Sequence, residues 1–138
     1  MASPKKLVLD ANVIVDHLRG KDGGSLVRRL QKESELATTM INAFELYYGA
    51  YKSKSVPPNL ASVKGFLSAI DVLDIDEASM EEAGRVLAAL EKKGAGIDSR
   101  DLFIGCVSVV KGFAVLTNNH RHLGRIPNLL VFTPSEVS

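Results

Sequence analysis

Leu7-Val8-Leu9 is a short, fully apolar run that ends in a carboxylate at Asp10, and from Ala11 the apolar spacing becomes helical through Val13, Ile14 and Leu18. A strand that is apolar on both of its faces belongs where helices cover both sides of a parallel sheet. The same switch from strand to helix recurs down the chain. After the turn Lys21-Asp22-Gly23-Gly24, residues 25–34 read as an amphipathic helix through Leu26, Val27 and Leu30, and residues 35–39 as a second short strand. Helices are expected over 42–54 and 59–70, with Pro57-Pro58 forcing a break between them. A short strand near 72–75 precedes a long helix over 76–93, which ends in Gly94-Ala95-Gly96. Residues 98–111 form a helix that is apolar nearly all round and therefore buried. Strands over 113–117 and 129–132 complete the series. This alternation predicts a single α/β domain over 1–138, a three-layer α/β/α sandwich with a mostly parallel central sheet.

Composition narrows the class. A chain of 138 residues can bury a continuous core without disulfide or metal staples. Its one cysteine, Cys106, sits inside an apolar run, so a buried thiol in a reducing compartment is expected. No apolar stretch approaches the roughly 20 residues that span a bilayer. The start, Met1-Ala2-Ser3-Pro4-Lys5-Lys6, lacks a signal-peptide core. A cytoplasmic protein without membrane association is expected. The 17 basic residues are offset by 16 acidic ones, so charge balance alone gives no support to a nucleic-acid substrate. Any such support must come from where the charges sit.

Sites in open α/β sheets form beyond the carboxyl ends of the strands. Asp10 ends the first strand, Glu45 lies early in the helix after the second, Asp98 and Asp101 open the buried helix, and Thr117-Asn118-Asn119 follow the fourth strand. Each alone reads as a cap. Asp10 suits the helix from Ala11, Asn42 and Glu45 fit a capping box, and Asp98 suits an N-cap with Asp101 favoured by the helix dipole. Together they imply more. Carboxylates converging from separate segments repel and raise one another's pKa, and a divalent cation removes that conflict. Oxygen ligands without histidine or thiolate select Mg²⁺ or Mn²⁺ over zinc, and such a site suits phosphate chemistry.

Four motifs then fall in order: Leu9-Asp10-Ala11-Asn12-Val13, Glu45-Leu46-Tyr47-Tyr48-Gly49-Ala50, Asp101-Leu102-Phe103-Ile104-Gly105 and Leu116-Thr117-Asn118-Asn119. In this order and spacing the chain resembles the PIN-domain family of the VapC toxin type, over essentially its whole length. The resemblance implies Mg²⁺ ligation by Asp10, Glu45 and Asp101. It places Asn119 where the family has a fourth acid or an asparagine, with Thr117 as the accompanying hydroxyl. It also implies hydrolysis of RNA phosphodiesters by a metal-activated water, and inhibition by a small antitoxin from a neighbouring gene. Asp98 stands where a small residue is expected after Ile97 and competes with Asp101 for the third ligand position. An N-cap side chain is occupied with backbone N–H groups, which favours Asp101 as the ligand. Leu123 replaces an aromatic, with consequences for packing only, and Asp16 is expected to face solvent. Relief of carboxylate repulsion is expected to make Asp10→Asn or Asp101→Asn slightly stabilising without metal.

Other features bear on partners. Phe44, Tyr47, Tyr48 and Tyr51 form an aromatic stripe. Phe44 and Tyr48 are expected in the core, with Tyr47 or Tyr51 reaching the surface. The stripe and the apolar helices offer more hydrophobic surface than so small a core hides, so a homodimer is expected. Arg19, Lys21, Arg28, Arg29 and Lys32 form a basic cluster suited to an RNA backbone or an acidic partner. In His120-Arg121-His122, Arg121 is the candidate for phosphate contact, metal binding by the histidines being disfavoured; Asn12 is a second candidate for the substrate. A haloacid-dehalogenase-like phosphatase needs a second acid two residues after the first, where this chain has Asn12. An inactive PIN-like RNA-binding module would have lost acids that are present here.

Overall fold

A computed structural model describes residues 3–21 and 24–137; Asp22 and Gly23 of the expected turn lie outside the described residues. The elements are β1 (Lys6–Leu9), α1 (Ala11–Leu18), α2 (Ser25–Glu33), β2 (Glu35–Thr39), α3 (Met40–Tyr51), α4 (Val56–Leu67), β3 (Asp71–Leu73), α5 (Glu77–Lys92), α6 (Ser99–Lys111), β4 (Ala114–Leu116) and β5 (Val131–Phe132). Single 3₁₀ turns over Leu123–Arg125 and Pro134–Glu136, which no sequence pattern announces, flank β5. The five strands are all parallel in the order β3-β2-β1-β4-β5. The sandwich expected from the alternation is present.

β1 is the central strand, and its apolar run has a direct cause. Successive side chains of a strand point to opposite faces. Leu7 and Leu9 enter one core layer with Ile14, Leu30, Leu46 and Val63 from α1 to α4. Val8 enters the other with Val86, Leu90, Leu102 and Ile104 from α5 and α6. Leu7, Val8 and Leu9 are all fully buried, so a polar residue at any of them would face apolar packing. Their burial fixes where the strand must stop, and so where Asp10 sits.

Three local expectations are corrected. α4 begins at Val56, with proline in its first turn, so the prolines start that helix instead of only ending the one before. α3 begins at Met40, with Thr39 as its N-cap. Phe44 and Tyr48 are 65% and 57% exposed, whereas Tyr47 packs against the core. Ala43, Leu46 and Ala50 supply the buried face of α3, and at 3.6 residues per turn this turns Met40, Phe44, Tyr48 and Tyr51 outward together.

Cys106 is fully buried, and burial pushes its thiol up to about 11. The native protein should therefore resist Ellman's reagent near neutral pH and react stoichiometrically once unfolded in guanidinium. Fast labelling of the folded protein would contradict this packing. Among the described residues, no helix is long and apolar enough to cross a membrane.

Candidate active site

The site grows from the end of β1. The Asp10 N–H still donates to the Leu116 carbonyl of β4 at 2.9 Å, which holds Asp10 at the carboxyl edge of the sheet. Its Oδ1 accepts from the Ala11 N–H at 2.8 Å and caps α1. Its Oδ2 accepts from the Thr117 hydroxyl at 2.7 Å. Asp10 is 1% exposed, and a buried carboxylate is tolerated only with such partners and a counter-charge.

Asn42 braces this junction from α3. Its Oδ1 accepts from the Ala11 N–H at 3.1 Å, and its Nδ2 donates to Thr39 Oγ1 at 3.1 Å and to the Leu9 carbonyl at 3.5 Å. Thr39 does the capping, accepting from the Asn42 N–H at 3.2 Å. The expected capping box is therefore absent, and Glu45 is released toward the neighbouring acids. On α6 the sequence reading of the cap matches the geometry: Asp98 Oδ1 accepts from the Asp101 N–H at 2.8 Å. The bond to that N–H holds the Asp98 carboxyl below its usual range.

One residue missed in the sequence joins these acids. Arg100 donates from Nη2 to Asp10 Oδ1, from Nε to Glu45 Oε2 and from Nη1 to Asp101 Oδ1, each at 2.6 Å. Burial opposes its charge, but bonds to Glu45 and Asp10 outweigh that and hold the guanidinium above its already high value. A signal existed in the sequence. A cation in the first turn of a helix faces the positive end of the dipole, an unfavourable place unless carboxylates meet it. One guanidinium still leaves an excess of carboxylates. Burial pushes the Asp101 carboxyl up, the Asp98 charge adds to this, and Arg100 only partly opposes it. Glu45 Oε1 is buried and has no hydrogen-bond partner among the described residues.

The remaining candidates lie around this centre. Asn12 links α1 to the loop after β4: its Oδ1 accepts from the Asn118 N–H at 3.1 Å, and its Nδ2 lies 3.4 Å from both Asp10 Oδ2 and Thr117 Oγ1. The Asn119 N–H donates to Thr117 Oγ1 at 3.1 Å, while its side-chain Oδ1 accepts from the Arg121 N–H at 3.5 Å. The Asn119 side chain is thus engaged within its own loop and is not brought onto the carboxylates. Arg121 is exposed on that loop. Asp16 is half-buried instead of facing solvent, accepting from Asn118 Nδ2 at 2.9 Å with Lys21 Nζ at 3.4 Å.

His122, for which the sequence disfavours metal binding, lies instead beside two carboxylates. Its Nδ1 lies 3.2 Å from Asp98 Oδ2 and 3.4 Å from Asp101 Oδ2. Among the described residues, Asp98, Asp101 and His122 form a group whose ligand atoms all lie within 4.8 Å of one another. Asp101 therefore belongs to two clusters: one in which Asp10, Glu45 and Asp101 surround the Arg100 guanidinium, and one in which Asp98, Asp101 and His122 come within 4.8 Å of one another. The first has oxygen donors alone, is the more buried, and already holds a cationic group. Its all-oxygen donor set suits a small hard cation better than a set that includes an imidazole.

Comparison with known proteins finds relatives over nearly the whole chain. Residues 7–129 match the family model described as PIN domain. The chain is 33% identical over 126 residues to the tRNA(fMet)-specific endonuclease VapC of Salmonella typhimurium, covering 91% of this chain and 96% of that protein. It is 30% identical over 121 residues to Ribonuclease VapC2 of Haemophilus influenzae, covering 88% and 92% of the two. The crystal structure of DNA-bound VapBC from Salmonella typhimurium matches at a TM-score of 0.84 and 32% identity, over 95% of this chain and 99% of that one. VapBC2 from Rickettsia felis, bound to a DNA fragment from its promoter, matches at 0.83 and 28% identity, over 92% and 97%. By family model and by relatives alike, this chain belongs to the PIN domain family.

Proposed function

We propose that this chain is a metal-dependent endoribonuclease that hydrolyses RNA phosphodiester bonds with Mg²⁺, for which Mn²⁺ substitutes, and that it is the toxin of a toxin–antitoxin pair. On this reading residues 1–138 form a single PIN-like nuclease domain working in the cytoplasm. The observation that carries it is the convergence of Asp10, Glu45 and Asp101 from three separate segments on one cationic group, the Arg100 guanidinium. A divalent cation held there would supply a Lewis acid that neutralises phosphate charge and lowers the pKa of a bound water. The chain's own residues set the stage. Thr117 and the Ala11 N–H fix both Asp10 oxygens before any ligand arrives. Glu45 brings a buried, unpartnered oxygen, and Asp101 projects from a capped first turn. Asn12 and Asn119 hold the loop that carries Arg121, whose exposed charge suits the RNA backbone. RNA is the substrate class because the relatives above are named as ribonucleases and a tRNA endonuclease.

The test is cleavage of bulk tRNA by the purified protein in Mg²⁺ and in excess EDTA. Cleavage in Mg²⁺ that vanishes in EDTA is expected; equal cleavage in both would overturn metal dependence. Expression without a partner should arrest growth, and Asp10→Asn should relieve the arrest. Harmless expression of folded wild type would remove the toxin reading. The two neighbouring aspartates separate cleanly. Asp98→Ser keeps a good N-cap, so stability should fall by no more than about 0.5 kcal/mol and cleavage should remain measurable. Asp101→Ser should abolish cleavage, and the reverse pattern would move the third ligand to Asp98.

Two surfaces suit the partners. A cleft of about 190 Å³ is lined by Val15, Leu18, Leu46 and Val63, with Arg19 and Glu45 also on its wall. It fits an amphipathic segment of a small antitoxin that lays apolar side chains in the cleft and reaches the carboxylates with a basic one. Met40, Phe44, Tyr48 and Tyr51 form the exposed apolar face of α3, a fitting interface for a homodimer. Sedimentation should report a dimer at micromolar concentration, and a strict monomer would remove that proposal.

A further inference from the structure

Resting on that reading of the site, we infer that Arg100 is a built-in occupant of the cation position, which the metal must displace in order to bind. Three arms of one guanidinium take Asp10 Oδ1, Glu45 Oε2 and Asp101 Oδ1, one oxygen from each acid. Few of the remaining oxygens can replace them. Asp10 Oδ2 is held by the Thr117 hydroxyl, and Asp101 Oδ2 faces His122. Glu45 Oε1 has no partner among the described residues, but at Asp10 and Asp101 a cation that engages all three carboxylates competes with Arg100 for the oxygens it holds. The guanidinium has a way out, since its side chain is 34% exposed while that of Asp10 is buried. It is also tethered, as the second residue of α6, so it leaves the carboxylates without leaving the neighbourhood of the site.

The exchange has a physical purpose. Without metal, three converging carboxylates would repel each other in a largely buried pocket, and Arg100 neutralises part of that charge. With metal, a compact divalent ion replaces a monovalent, spread-out one in the same negative field. The site is thereby stable when empty, and its metal affinity is set lower than the bare acids would give. Arg100 and the metal are alternative ligands of one site, and their binding is negatively coupled.

Side-chain NMR of the wild-type protein and metal titration of two variants test this together. In EDTA the Arg100 Nε–H, identified by its loss in Arg100→Lys, should give a protected resonance, because it is bonded to Glu45. Adding Mg²⁺ should remove that protection over the concentration range in which the metal binds. By calorimetry, Arg100→Gln should bind Mn²⁺ more tightly than wild type by roughly tenfold, with Arg100→Lys between them. Equal affinity in all three proteins, or an Nε–H that stays protected at saturating metal, overturns the exchange and leaves the metal-dependent nuclease standing. Failure of every protein to bind Mn²⁺ at millimolar concentration overturns both.

Discussion

Asp10→Asn and Asp101→Asn should each lower RNA cleavage by on the order of a thousandfold while the protein still folds. The amide keeps the size of the carboxyl, and at the end of β1 its oxygen can still accept a hydrogen bond of the kind Asp10 takes from the Ala11 N–H or the Thr117 hydroxyl. What it loses is the charge that a hard cation requires. The two variants should differ in stability without metal, and here the structure reverses an expectation from sequence. Relief of repulsion alone would make both slightly stabilising. In the folded protein, however, Asp10 is the buried partner of Arg100, bonded at 2.6 Å. Asp10→Asn removes that partner and should cost about 1–2 kcal/mol, a value below the range for fully buried pairs because Arg100 is partly solvated. Asp101 carries a carboxyl pushed up by burial and by Asp98, so Asp101→Asn should be close to neutral. Urea unfolding in EDTA reads this difference, and calorimetry with Mn²⁺ reads the loss of metal affinity. A double variant that bound Mn²⁺ as well as wild type would remove these residues from the site.

Gly105→Val should be the most damaging change outside the site. Gly105 is buried within α6, which packs against the 3₁₀ turn at Leu123–Arg125 and the residues after it. A Cβ at this position would meet Ile126 Cδ1 at 2.0 Å, Leu129 Cδ2 at 3.2 Å and Leu123 Cδ2 at 3.3 Å. Leu123 and Ile126 are themselves buried, so neither can swing into solvent to make room. Overpacking of this kind costs about 1–3 kcal/mol, and the branched valine should reach the upper end. The effect should extend to catalysis at temperatures where the variant is folded. α6 carries Arg100 and Asp101 about one turn from this contact, and the crowded loop continues back to His122. A variant with an unchanged urea midpoint would contradict the packing of α6 against this turn.

The parts of this fold that can be read from the sequence are those set by local periodicity. β2 spans Glu35–Thr39 as its pattern predicts, and the switch in apolar spacing places Asp10 at the junction of β1 and α1. The N-cap at Asp98 is legible because an aspartate three residues before a second one, ahead of an apolar run, is a local signal. What escapes the sequence depends on distant partners. Thr39 and Asn42 are both good caps by type; only the sheet shows that Asn42 is consumed by Leu9 and Ala11. Aromatic residues suggest a core face on α3, but the layer beneath it accepts the smaller Ala43, Leu46 and Ala50 instead. Arg100 reads as one charge on a solvated helix start. Its partners Glu45 and Asp10 lie 55 and 90 residues away, beyond the reach of any local pattern. His122 likewise acquires Asp98 as a neighbour only through the loop that follows β4.

The most direct measurement is an anomalous difference map from a crystal of the wild-type protein soaked in Mn²⁺. One peak is expected among Asp10, Glu45 and Asp101, at roughly 2.1 Å from their oxygens, with the Arg100 guanidinium moved off that position. A peak only between Asp98, Asp101 and His122, or none with Arg100 still bridging the three carboxylates, would contradict the assignment of the catalytic cation.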